Sequence, residues 1–248
     1  MRRHLFSAVC LLALLAGSLR PADKKSDEPH WKGDLSLGFS LSKGNTDATS
    51  FSFTFSTDGP LNTAKTMIWK NKGVLLFSQT DGKTSSESLL ANSRIDWECN
   101  GRLFSYFEFQ GQRDRFKNFS YRLLPSFGLG YNVLDQESVG LILDAGLSQV
   151  VTRYYDTGDI ETYTGLKGGQ QFDWQISKTA ELIEVLQINA DFAKLSDFFL
   201  RLEVSLLTAI TQSWSVKLTF VDSYDNIPVG ARIKRNDITF IAGISRKF

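Results

Sequence analysis

Histidine, cysteine, methionine and proline are all scarce in this chain of 248 residues, which has two, two, two and five of them respectively. Both histidines, His4 and His30, lie ahead of the first recognisable strand, so no Ser–His hydrolase or His–Asp protease arrangement can be assembled from the rest of the chain. The two cysteines, Cys10 and Cys99, are far apart and form no CxxC or zinc spacing, and the sequence implies neither a metal nor a cofactor. Charge of one sign is missing as well. With a net charge of +1 the chain lacks the basic excess of a nucleic-acid binder, and nucleic acid is not among its expected partners. From Trp31 onward there is no run of 18 apolar residues, which excludes a spanning helix and leaves open a barrel whose polar lumen masks its lipid face in the composition.

What is abundant is phenylalanine, 19 of it, and period-2 alternation. The final stretch, 236–248, sets Ile238, Phe240, Ala242 and Ile244 on one side and Asp237, Thr239, Gly243 and Ser245 on the other. It finishes on Phe248, expected to be the aromatic terminus of a strand that closes an outer-membrane barrel and carries the assembly signal to the barrel-assembly machinery. A soluble edge strand is the alternative for this stretch alone. Arg246, on the apolar side, is expected to snorkel to a headgroup.

The beginning reads as export. Met1-Arg2-Arg3-His4 is basic, Leu5 to Leu15 is apolar and too short to span a bilayer, and Ala16-Gly17-Ser18 is a small-residue cleavage site, giving a signal peptide over 1–18. Residues 19–30 form a polar linker, and the expected barrel occupies 31–248. Leu35, Leu37, Phe39 and Leu41 alternate with small polar residues, as do Phe51, Phe53 and Phe55 beyond Gly44-Asn45-Thr46-Asp47, which makes a hairpin. Further strands are expected near 63–79, 86–98, 102–113, 119–134, 137–152, 160–175, 178–193, 198–209, 212–224 and 235–248, about twelve in all. Their lengths reach the ~9–11 residues of a tilted membrane strand, beyond the ~5–6 of soluble ones. Only short pieces such as Ala180 to Ile188 read equally as helix.

The connections alternate between tight and long. Short turns at 58–62, 100–101, 135–136, 177–178 and 211–212 fall on the expected periplasmic side, and longer charged ones at 80–85, 114–118, 152–159 and 223–234 on the outer side. Trp31, Trp97, Trp174 and Trp214 fall near the periplasmic strand ends, where an aromatic girdle belongs, whereas Trp69 falls mid-strand.

The residues also resemble the salt-induced outer-membrane protein (YdiY-like) family: the Gly44-Asn45-Thr46 turn, Asp114-Arg115-Phe116 followed by Tyr121-Arg122, Gly128-Leu129-Gly130-Tyr131, and the closing strand to Phe248. The resemblance spans about 31–248. It implies an outer-membrane β-barrel of the bacterial envelope with no settled biochemical role, and lends no catalytic residues.

With the apolar side outward, Arg94, Asp96, Glu98, Glu108, Arg122, Asp144, Glu161, Lys167, Asp173, Arg201, Glu203, Lys217 and Asp237 are expected to line the lumen. Phe104, Tyr106, Leu124 and Phe199 would narrow it. Both signs interleave, unlike the one-sign lining of a selective pore. Near 180–190 the faces stay open, with Glu181 and Glu184 competing for the interior. Asp222 and Asp225, close together in the last long loop, are the only carboxylate pair with an enzymatic reading. Arg232, Lys234 and Arg235 suit lipopolysaccharide phosphates, and the apolar face suits outer-membrane lipid. The expectation is a non-enzymatic outer-membrane barrel with a narrow, charge-paired lumen and a structural or stress-adaptation role. The alternatives are a porin-like small-solute or ion channel and, less favoured, an outer-membrane enzyme.

Overall fold

The alternation seen in the sequence becomes a closed antiparallel barrel of twelve strands, each paired to its sequence neighbours, with the last paired to the first. The computed structural model describes residues 31–43, 48–80, 83–115, 117–229 and 233–248. The signal-peptide and linker segments 1–30, the Gly44-Asn45-Thr46 turn, Phe116 and Arg232 lie outside the described residues. The strands are β1 (Lys32–Lys43), β2 (Ala48–Pro60), β3 (Met67–Thr80), β4 (Lys83–Asn100), β5 (Leu103–Asp114) and β6 (Phe119–Asp135). They continue with β7 (Val139–Tyr154), β8 (Ile160–Gln175), β9 (Ala180–Asp191), β10 (Phe198–Ala209), β11 (Trp214–Asp225) and β12 (Asn236–Lys247). The 180–188 stretch is strand, because closing the ring gives its backbone groups partners on β8 and β10.

The barrel is inside-out relative to a water-soluble one. Along β5, Phe104, Tyr106, Glu108 and Gln110 are buried, whereas Phe107 and Phe109 are 46% and 44% exposed. Leu37, Phe51, Phe127 and Leu129 are likewise exposed on their strands. Apolar side chains outward and polar ones inward is the arrangement of a transmembrane barrel; in water it would expose an unbroken apolar belt.

The connections at the end that holds Phe248, the turn end, span two to six residues, and the longest connection, 226–235, lies at the opposite, loop end. The long connection expected at 80–85 is corrected, because β3 runs on to Thr80 and β4 starts at Lys83. The tryptophans mark the turn end. Trp31 and Trp69 meet edge-on with ring centroids 5.9 Å apart, and Trp97 lies opposite Met67, two rungs from Trp69. Trp174 pairs with Val139, and Trp214 pairs with Arg246, whose guanidinium lies 5.7 Å from the indole. The expected mid-strand position of Trp69 is corrected: β3 begins at Met67, so Trp69 sits at the strand's beginning, beside Trp31, with its Nε1–H donated to Ser93 Oγ at 2.8 Å.

Small residues on the wall fit these large ones. A Cβ at Gly59 would lie 2.5 Å from the Trp31 ring, and one at Gly130 would lie 2.2 Å from the Phe104 ring. The aromatic rings thus lie directly against the bare backbone of these buried glycines.

Candidate functional site: the lumen

The inward-facing residues of β3, β4, β5, β7 and β8 converge on Arg94. Its Nε donates to Asp96 Oδ1 at 2.6 Å, and Nη1 donates to Asp144 Oδ2 at 2.9 Å and Glu108 Oε2 at 3.5 Å. The guanidinium plane lies 4.0 Å from the Tyr106 ring centroid, a cation–π contact that fixes it from one side. Glu108, 1% exposed, also accepts Asn92 Nδ2 at 2.7 Å and pairs with Lys167 Nζ at 2.5 Å. Lys70 pairs with Asp96 at 2.8 Å. Three cations and three carboxylates thus neutralise one another at close quarters, which is how buried charge is tolerated at all.

A second group spans the lumen. Lys72 on β3 and Glu203 on β10 are five strands apart around the ring, yet Nζ and Oε1 are 2.5 Å apart. Arg201 lies 3.4 Å from the same carboxylate. Beside it, Lys217 is 3.5 Å from Asp34, whose carboxylate also accepts the hydroxyls of Ser36 and Ser245. An ion pair between near-opposite walls sets the local width of the passage to that of two side chains. At the loop end, Lys117 and Asp237 form another crossing at 3.3 Å.

Between these levels and the loop end the lumen opens into a cavity of about 120 Å³, open to solvent. Arg122 projects into it, its Nε donating to Thr152 Oγ1 at 3.1 Å and its guanidinium lying 4.5 Å from the Phe119 ring and 5.0 Å from Phe199. Tyr154 donates its hydroxyl to Glu161.

Of the residues expected to line the lumen, Arg94, Asp96, Glu108, Asp144 and Lys167 come together in the first cluster. Arg201, Glu203 and Lys217 belong to the second, while Arg122 and Asp237 lie toward the loop end. Asp173 lies near the turn end and accepts Gln171 Nε2 at 2.9 Å. Glu98 is corrected: it is exposed at the end of β4 and caps the following turn by accepting the Gly101 amide at 2.9 Å. The register resolves the open stretch of β9. Glu181 shares the face of Asn189 and pairs with Lys247 at 2.8 Å, while Glu184 faces the other way and accepts Gln170 Nε2 at 3.0 Å.

Asp222 and Asp225 are also corrected. Both belong to β11, not to a loop, and their odd spacing puts them on opposite faces, so they form no carboxylate pair. Lys70, Lys72 and Asp34 were not anticipated, although period-2 alternation puts the two lysines on the face of Arg94, with Lys70 directly opposite it, and sets Asp34 on the face of β1 opposite Leu35 and Leu37.

Residues 35–248 match the family model described as "Protein of unknown function, DUF481". No curated protein matches the sequence. Among solved structures, the chain is similar to the NanC porin (7% identity, 86% of this chain and 100% of that one, TM-score 0.58). It is also similar to the KdgM porin in complex with disordered oligogalacturonate (10% identity, 87% and 99%, TM-score 0.51). The COG4313 outer membrane channel from Pseudomonas putida F1 aligns at 10% identity over 93% and 100%, with a TM-score of 0.51. At such identities the likeness is one of fold.

Proposed function

This chain belongs to the DUF481 family of proteins of unknown function, and from its own residues we propose that it is a non-enzymatic β-barrel of the bacterial outer membrane whose lumen is held narrow by ion pairs. Its role on this reading is structural or adaptive to envelope stress, in keeping with the resemblance to salt-induced outer-membrane proteins. Lipid surrounds the apolar belt, lipopolysaccharide phosphates meet Lys234 and Arg235 at the loop end, and the barrel-assembly machinery inserts the chain by its closing strand.

The observation that carries the reading is the Lys72–Glu203 bridge, which ties near-opposite walls together. An open porin needs an unobstructed aqueous path, and here salt-bridged side chains stand in that path at more than one height. The test is planar-bilayer recording on the folded, inserted protein. The expected result is a closed trace, or a conductance far below that of an open pore, which rises in the Lys72→Ala/Glu203→Ala double variant. A large, steady conductance from the unmodified protein would sink the reading.

That outcome would favour the second one, a channel for small solutes or ions, which the open cavity around Arg122 supports. Loss or change of such a conductance in Arg94→Ala and Arg122→Ala would then place both side chains along the path.

A further inference from the structure

Arg122 differs from Arg94 and Arg201, the other arginines that the inward faces of the strands carry toward the lumen centre. Arg94 and Arg201 are each salt-bridged to carboxylates. Arg122 is held by Thr152 and by two aromatic rings, and among the described residues its Nη groups meet no protein acceptor. Asp225 lines the same cavity and attracts Arg122 electrostatically, but its carboxylate takes the Ile227 amide and lies beyond salt-bridge distance of the guanidinium. Thr152 is 1% exposed and Phe119 4% exposed, so the supports behind the guanidinium are fixed parts of the wall. The result is a pre-oriented two-pronged donor facing solvent within a cavity.

A guanidinium held this way matches a carboxylate in geometry, because two parallel N–H groups meet two oxygens. The cavity's charge points the same way, with six cationic and four carboxylate side chains lining it. Gln110 and Gln112 supply amide groups, and Tyr224, whose hydroxyl proton goes to Asn226, supplies an acceptor oxygen, all suited to a hydroxylated solute. We propose that this cavity is a binding site for a small hydroxylated carboxylate of the sugar-acid type, with Arg122 clamping the carboxylate. The site needs only the folded barrel, so it is independent of whether the lumen conducts.

The test is isothermal titration of the detergent-folded protein with sodium glucuronate, with glucose and inorganic phosphate as comparisons. Saturable glucuronate binding is expected, with no measurable heat for glucose, at least tenfold weaker binding to Arg122→Gln, and a several-fold loss in Phe199→Ala. Because either variant can disturb folding, the unmodified protein provides a second readout: glucuronate should protect Arg122, mapped by mass spectrometry, from modification by phenylglyoxal. Glucose binding as tightly as glucuronate, phosphate displacing glucuronate at equal affinity, or Arg122 remaining equally reactive with glucuronate present would each overturn the assignment.

Discussion

Gly33 and Phe248 close the ring: each donates its amide to the other's carbonyl at 3.0 Å, and the Phe248 ring covers the Gly33 α-carbon so closely that a Cβ there would lie 2.2 Å from it. The bare glycine backbone on β1 and the aromatic residue after β12 form the last rung of the seam. Replacing Phe248 by Ala keeps both hydrogen bonds and removes the cover, a change of roughly 1 kcal/mol at a cross-strand aromatic contact. Folding yield in detergent should fall and the urea midpoint of the folded barrel should drop modestly. An unchanged midpoint would mean the ring contributes nothing to closure.

Gly146 and Gly73 offer a matched comparison. A Cβ at Gly146 would sit 2.2 Å from the Phe127 carbonyl oxygen and 2.7 Å from the Tyr106 hydroxyl, whereas the nearest atom to one at Gly73 is 4.0 Å away. Gly146→Ala should destabilise the barrel by about 1–3 kcal/mol through forced backbone movement, and Gly73→Ala should be neutral or slightly stabilising. Denaturant unfolding of the two variants side by side checks the contrast.

Glu108 bridges Arg94 and Lys167 while almost wholly removed from solvent. Glu108→Ala leaves Lys167 without its carboxylate and weakens the hold on Arg94, at a cost of roughly 3–5 kcal/mol. Glu108→Met combined with Lys167→Met removes both charges and should recover much of that loss. A double-mutant cycle measures it, and additive effects would show that the pair is not coupled.

The outward tryptophans at the turn end should lie near the headgroups of a bilayer. Lipids brominated high on the acyl chain should quench their fluorescence more than lipids brominated at mid-chain, and Trp69→Phe should lower the emission without changing that order. Stronger quenching at mid-chain would shift the membrane boundary, and no quenching by either lipid would remove the protein from the bilayer.

Cys99 is an exposed thiol at the turn end of β4. If that end faces the periplasm, a membrane-impermeant maleimide should leave Cys99 unlabelled in intact cells and label it once the outer membrane is permeabilised. Equal labelling in both would reverse the orientation.

Much of the fold is legible in the one-dimensional pattern. Strand number and approximate strand positions follow from period-2 hydrophobicity, because in a barrel the same face of every strand meets the same medium, and no distant contact is needed to set it. The separation of Arg94 from Phe107, or of Asp237 from Phe240, is a local property of this kind. Where a strand begins is less local: Trp69 reads as mid-strand until the Asn62–Thr66 turn, held by Asn62 Oδ1 accepting the Thr66 amide at 3.0 Å, moves the start of β3 to Met67. Charged residues at a strand end, such as Glu98, likewise share the parity of the lumen but are taken up by the turn.

The pairing inside the lumen belongs to the tertiary structure alone. That Lys72 meets Glu203, 131 positions later, depends on barrel circumference and strand stagger, which no pattern along one strand encodes. So does the difference between Arg94, surrounded by carboxylates, and Arg122, held by two rings with its donors open to the cavity. Outside β9 the sequence by itself determined which strand residues face inward, because pleating is set residue by residue; ring closure decided which of them touch, because it alone brings distant strands within the reach of two side chains.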